Sequence, residues 1–174
     1  MIVQKMDSSL DIVNWFYRKA EDDKKIIDEK KVQHLLFLSQ IHFALKNGCY
    51  LMPSLFVCEK TGFYEPTIRA ILSFGLPLMP KNSVCAENSR FLELIWQKYS
   101  NKSENELSQF VMSLDCFKQS YRSEKDNVVD PINFVASFEN SLQSQCNKQN
   151  KTKILISQNG PVKVSAWSPK KLKK

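Results

Sequence analysis

Apolar residues recur at helical spacing along most of the chain. The segment KVQHLLFLSQIHFALKNG, residues 31–48, is apolar on most sides of a helix, and Asn47-Gly48 supplies a stop signal. A helix of this kind is typical of the middle of a domain. Amphipathic helices before and after it are indicated by residues 12–17, 91–99 and 107–114. The pattern therefore predicts a compact, mainly helical domain around a buried central helix.

Two polar pairs mark helix starts later in the chain. Ser103 and Glu106 have the spacing of a capping box, in which each side chain accepts a hydrogen bond from the backbone N–H of the other residue. Asp130-Pro131 places a capping side chain before a proline suited to a first helical turn. Between residues 49 and 60 the helical period is lost, and the pattern leaves an extended piece and a single helical turn both open.

An aromatic turn precedes the next predicted helix, in the stretch KTGFYEPTIRAIL at residues 60–72. Pro66 favours the first helical turn, where its missing N–H is not needed. We expect one of Phe63 and Tyr64 to pack against the helix start and the other to project outward. The sequence leaves open whether the turn only locks the helix entry or also presents an aromatic ring to a partner.

The C-terminal part has a different composition. Residues 143–153 are rich in Gln, Asn, Ser and Lys, which indicates a polar linker or a frayed helix end. Beyond them, KILISQNGPVKVSAW alternates around Asn159-Gly160, a β-hairpin signal, with Pro161 favouring an edge position. The predicted fold is therefore mainly α (α+β), with a helical domain at 1–142, a linker at 143–153, and a β-hairpin with a basic tail at 154–174.

The formal net charge of +7 comes entirely from the C-terminal segment. Residues 1–150 contain 18 basic and 18 acidic residues, whereas residues 151–174 contain seven lysines and no acid. Such a block is typical of a solvated tail or of an arm for an acidic partner. We expect a cytoplasmic protein, because no apolar run is long enough to span a membrane and residues 1–10 lack the apolar core of a signal peptide.

The search for catalytic motifs finds none. The sequence has no glycine-rich phosphate loop, no GxSxG, no HExxH and no CxxC among its five cysteines. His34 and His42 stand about 12 Å apart on the central helix, too far to share one metal ion, and are interpreted as buried or half-buried structural residues. Cys58 and Cys116 are interpreted as buried thiols. We therefore predict a protein that is not an enzyme and has neither a cofactor nor a metal site.

The order of these motifs resembles the Panacea domain, a phage-associated module found in many antitoxins. The resemblance covers roughly residues 9–140 and is carried by three groups of residues. The first is a central-helix group (Lys31, Val32, Leu35, Leu36, Phe37), the second a turn group (Gly62, Phe63, Tyr64, Pro66), and the third a group from two later helices (Trp96, Tyr99, Ser103, Glu106, Leu107). The chain departs from the family where Phe63, Tyr64 and Glu65 separate the glycine from the proline. Asp115 and Phe117 also stand where the family has His and Trp.

The resemblance implies an antitoxin-like module that neutralises a cognate toxin by direct protein binding. Because aromatics and arginine dominate interface energetics, we expect the contact surface at the aromatic turn and the following helix. The predicted partner-binding residues are Phe63, Tyr64, Glu65, Arg69 and Trp167.

Two alternatives use the C-terminal segment instead. An accessory protein would dock nucleic acid through Trp167 and the basic tail, which is formed by Lys170, Lys171, Lys173 and Lys174. An adaptor would add the hairpin to the sheet edge of a partner protein and would hold two partners at once.

Overall fold

The computed structural model describes residues 6–75, 84–121, 128–149, 152–157 and 160–165, with side chains up to residue 144. The predictions for Trp167, the four tail lysines and Asn159 lie outside the described residues. The helices are α1 (Ser9–Asp22), α2 (Glu29–Asn47), α3 (Pro66–Phe74), α4 (Ala86–Tyr99), α5 (Glu104–Ser113), α6 (Asp115–Tyr121) and α7 (Val135–Gln149). The strands are β1 (Phe56–Glu59), β2 (Gly62–Tyr64), β3 (Val128–Val129), β4 (Thr152–Ser157) and β5 (Gly160–Ser165). The predicted mainly helical α+β fold is confirmed.

Helix α2 is the centre of the first unit. Every residue from Lys31 to Ile41 is buried, as expected for a helix apolar on most sides. Asp28 caps its start by accepting a hydrogen bond from the Lys31 N–H at 2.7 Å, and Gly48 ends it with a left-handed φ of 65°. Helices α1, α3, α4 and α5, strand β2 and a 3₁₀ helix at Pro131–Phe134 pack around α2.

A small antiparallel sheet closes one side of this unit. Strand β1 lies between β2 and β3, and its pairing with β2 sets Cys58 opposite Phe63 and Glu59 opposite Gly62. The extended alternative for the stretch before Lys60 is therefore the one observed. The turn between β1 and β2 is tied to α5, because the Ser108 hydroxyl donates to the Thr61 carbonyl at 2.6 Å.

The chain divides into two compact units, residues 1–138 and residues 139–174. Residues 143–149, for which the composition indicated a linker or a frayed helix end, are the last residues of α7. In the second unit β4 pairs with β5, so the predicted hairpin is confirmed. Gly160, which the Asn-Gly signal places in the turn, is instead paired with Ser157 as the first residue of β5.

None of the described helices is both long and apolar enough to cross a membrane.

Candidate functional site

The β2–α3 junction is held against the central helix by a double hydrogen bond. The Gln33 side chain accepts from the Glu65 N–H at 2.8 Å and donates to the Glu65 carbonyl at 3.4 Å. The Glu65 carboxylate in turn caps α3 by accepting from the Ile68 N–H, and Pro66 occupies the first helical turn. Glu65 is buried, so its predicted place on a contact surface is wrong. Its carboxylate instead caps the start of α3.

Phe63 is a core residue. Its ring stacks on Phe37 at a centroid distance of 4.1 Å and meets Phe117 edge-on at 5.7 Å. With only 1% of its surface exposed, Phe63 cannot lie on a contact surface, and this prediction is also wrong. The neighbouring Tyr64 is half-buried and reaches the surface. One ring therefore packs inward and the other reaches the surface, as expected, but the rings that Phe63 contacts belong to α2 and α6 and not to the start of α3.

The half-buried Tyr64 and the exposed Arg69 and Glu59 form a surface group that we call the rim cluster. The Arg69 guanidinium lies 4.6 Å from the centroid of the Tyr64 ring and donates to the Glu59 carboxylate at 3.0 Å. The hydrogen bond to Glu59 raises the pKa of Arg69. Both charged side chains are about half exposed, so the ion pair adds little to stability but keeps the guanidinium over the ring. Of the predicted partner-binding residues, the structure brings Tyr64 and Arg69 together at the surface.

A pocket of about 310 Å³ lies between α2, the β1–β2 hairpin and α3, and we call it the α2–hairpin pocket. The rim cluster forms part of its wall, together with Glu29 and Lys30 from the first turn of α2. Its ionisable walls therefore carry two carboxylates and two cations, and their formal charges cancel. His34 also lines the pocket, but only 4% of its surface is exposed, which places it at the floor.

His34 is buried without a hydrogen-bond partner. Both ring nitrogens lack one in the part of the chain that the structure describes. Burial lowers the pKa of His34 to about 4 against an opposing effect of the Asp28 carboxylate, so the ring is neutral at physiological pH. The backbone of Gly62 lies directly against the ring, since a Cβ built there would be 2.5 Å from the imidazole Cε1. Gly62 also has a φ of 139°, which side-chain-bearing residues rarely adopt.

The other histidine, His42, has a hydrogen-bond partner. His42 Nε2 lies 2.7 Å from the Tyr99 hydroxyl, and its ring meets Phe138 edge-on at 4.9 Å. Burial lowers its pKa to about 3. The prediction that both histidines are buried or half-buried is confirmed, with His34 buried and His42 half-buried, and within the described residues only His42 has a hydrogen-bond partner. Within the described residues, no group of three or more His, Cys, Asp and Glu side chains is placed to hold a metal ion.

The interpretation of Cys58 and Cys116 as buried thiols is confirmed. Burial raises the pKa of Cys58 to about 11 and that of Cys116 to about 12, so both thiols stay protonated at neutral pH. A protonated thiol is a poor nucleophile, and neither side chain is exposed to a substrate.

Sequence reasoning missed three residues of this site: Gln33, His34 as a pocket residue, and Glu59. Gln33 and Glu59 gave no local signal, because their partners come from other elements. Gly62 gave a partial one, since a glycine before an aromatic turn indicates a special backbone conformation or a close approach. Nothing in its neighbourhood showed that the approaching group is His34.

No protein-family model matches the chain, and no curated protein and no solved structure matches it either.

Proposed function

We propose that this chain is an antitoxin-like protein-binding module that neutralises a cognate toxin by direct contact through the rim cluster. The observation that carries the proposal is a half-buried tyrosine and an exposed arginine that contact each other at the surface, next to a helix start fixed by buried hydrogen bonds. Tyrosine and arginine are enriched among the residues that dominate protein interfaces. The resemblance to the Panacea domain supplies the antitoxin class.

The support beneath the rim cluster favours binding because it limits the entropy lost on association. Gln33 fixes the backbone at Glu65, and the Glu65 carboxylate fixes the start of the helix that carries Arg69. Arg69 is further held by Glu59 and by the Tyr64 ring. A partner that contacts these side chains does not have to order the strands or the helix start that carry them.

The test is affinity capture from the native host with matched baits. Tyr64→Ala and Arg69→Ala should each weaken capture of one small protein at least about tenfold, as expected for interface hot spots. Lys118→Ala is the matched control, because Lys118 is similarly exposed and forms a comparable 3.2 Å ion pair with Asp115 on α6. A captured protein that arrests growth alone but not with this chain would establish the toxin pair. Equal capture by all four baits would refute the proposed surface.

A second candidate is an adaptor that uses the hairpin. In the part of the chain that the structure describes, β4 and β5 pair only with each other, in a sheet of two strands. Two-stranded sheets are marginal alone and have two edges open to strand addition. A bait ending at Gln149 distinguishes the two functions. If the chain is an antitoxin, this bait should still capture its partner. If the chain is an adaptor, the bait should capture only one of its two partners.

A further inference from the structure

His34 differs from the polar side chains that surround it. Gln33 uses both ends of its amide on Glu65, and Ser108 donates to Thr61. His34 is equally buried, yet neither ring nitrogen is hydrogen-bonded within the described residues. Buried polar groups in folded proteins are nearly always paired, and leaving one unpaired costs stability. An unpaired imidazole at the floor of a pocket therefore points to a ligand.

The backbone of Gly62 packs directly against the His34 ring. Both ring nitrogens are covered, so a hydrogen bond to a ligand requires the ring to rotate toward the pocket that it lines. Gly62 has no Cβ, and a methyl group at this position would collide with the ring. The ring can therefore lie against the β2 backbone because this position is a glycine, and a Cβ here would hinder any movement of the ring.

The chemistry of the walls limits the ligand. A neutral imidazole has one N–H donor and one nitrogen acceptor. A ligand with a full charge would meet a like charge as well as an opposite one, because Glu29 and Glu59 face the pocket together with Lys30 and Arg69. A primary carboxamide is uncharged and has both a donor and an acceptor, so it complements either tautomer of the ring.

We propose that the α2–hairpin pocket binds a primary carboxamide through a ring nitrogen of His34. The carboxamide belongs either to a small free amide or to an Asn or Gln side chain of a protein partner. Only the second source rests on the proposed function.

The direct test is an NMR titration of the full chain at neutral pH that follows the imidazole ¹⁵N signals of His34. The probe is N-acetyl-asparagine methylamide, and N-acetyl-leucine methylamide has nearly the same shape without the carboxamide. One additional hydrogen bond should make the asparagine probe bind about tenfold more tightly. The aspartate analogue should bind no better than the leucine one. Equal binding of the asparagine and leucine probes would overturn the proposal.

Variants then test the role of His34 itself. His34→Phe should abolish the preference for the asparagine probe, whereas His34→Gln, which keeps a donor and an acceptor, should retain part of it. Gly62→Ala should reduce the preference by blocking rotation of the ring, and Lys118→Ala should leave it unchanged. In the His34 variants the amide signals of Thr61 and Gly62 report binding. Should His34→Phe fail to fold, His34→Gln and Gly62→Ala still decide the matter, because a full preference in Gly62→Ala would contradict the rotation mechanism.

Competition identifies the source of the carboxamide. If the asparagine probe reduces partner capture, the partner's own side chain enters the pocket. If the probe binds without affecting capture, the pocket takes a free amide. No probe binding, combined with capture that Tyr64→Ala weakens, would refute the carboxamide site and leave the proposed function standing. Probe binding combined with capture that Tyr64→Ala leaves unchanged would support the carboxamide site and refute the proposed contact surface.

Discussion

Three consecutive residues at the β2–α3 junction have three different structural roles. Phe63 fills the core against Phe37, Tyr64 supports a guanidinium at the surface, and Glu65 caps a helix. The alternation of a short strand separates the first two, because successive side chains point to opposite faces. Burial and surface exposure therefore differ between neighbouring residues, and substitutions at these positions should have different effects on stability.

Alanine at Phe63 and alanine at Tyr64 should differ sharply in stability. Phe63→Ala removes a fully buried ring and should lower the free energy of unfolding by about 3–5 kcal/mol. Tyr64→Ala removes a half-buried ring and a cation–π contact, so a loss of about 1 kcal/mol is expected. Urea denaturation followed by circular dichroism measures both. Similar losses for the two variants would mean that Tyr64 is as much a core residue as Phe63.

The cap at Glu65 should depend on hydrogen-bond acceptance. Glu65→Ala should destabilise the protein by about 1 kcal/mol, because the Ile68 N–H loses its partner. Glu65→Gln keeps an acceptor oxygen and should recover most of this loss in the same urea assay. If glutamine is no better than alanine, the negative charge at the helix start provides the stabilisation instead.

At the scale of elements, local signals were predictable and contacts between distant segments were not. The burial of α2 followed from its all-round apolar pattern, and the Ser103–Glu106 capping box is present as expected. The burial of Phe63 depends on Phe37, and the environment of His34 depends on Gly62. Each of these contacts joins α2 to β2, and the chain between them contains a loop and strand β1. A pattern read along one segment contains no information about such pairing.

Helix α2 also makes stability depend on pH through its two histidines. Burial lowers the pKa of His34 to about 4 and that of His42 to about 3, below the ordinary value of 6.5. The unfolded chain therefore binds protons before the folded chain does as the pH falls. The stability that the two neutral histidines contribute is fully present above pH 6.5 and is lost as the pH falls toward their pKa values in the folded chain. The loss should reach about 2 kcal/mol for each histidine near pH 5.

Urea denaturation at a series of pH values measures this slope. His34→Gln should remove roughly half of it, since glutamine does not titrate in this range. The control is Lys118→Ala, which leaves both histidines in place. An unchanged slope in His34→Gln would show that carboxylates elsewhere cause the acid sensitivity.

The whole molecule combines a neutral first part with a basic C-terminal segment. Removing that segment should change the retention on heparin and leave the unfolding midpoint nearly unchanged. A chain ending at Gln149 loses all seven lysines that lie beyond residue 150, so its formal net charge falls from +7 to zero. Among the residues whose side chains are described, the buried apolar core runs from Ile12 to Phe138, within the first unit. The shortened chain should therefore unfold cooperatively at nearly the same urea concentration as the full chain. It should also lose most of its retention on heparin, which depends on clustered positive charge. A large fall in the unfolding midpoint would show instead that the second unit stabilises the first, and partner capture by the shortened bait would then no longer distinguish an antitoxin from an adaptor.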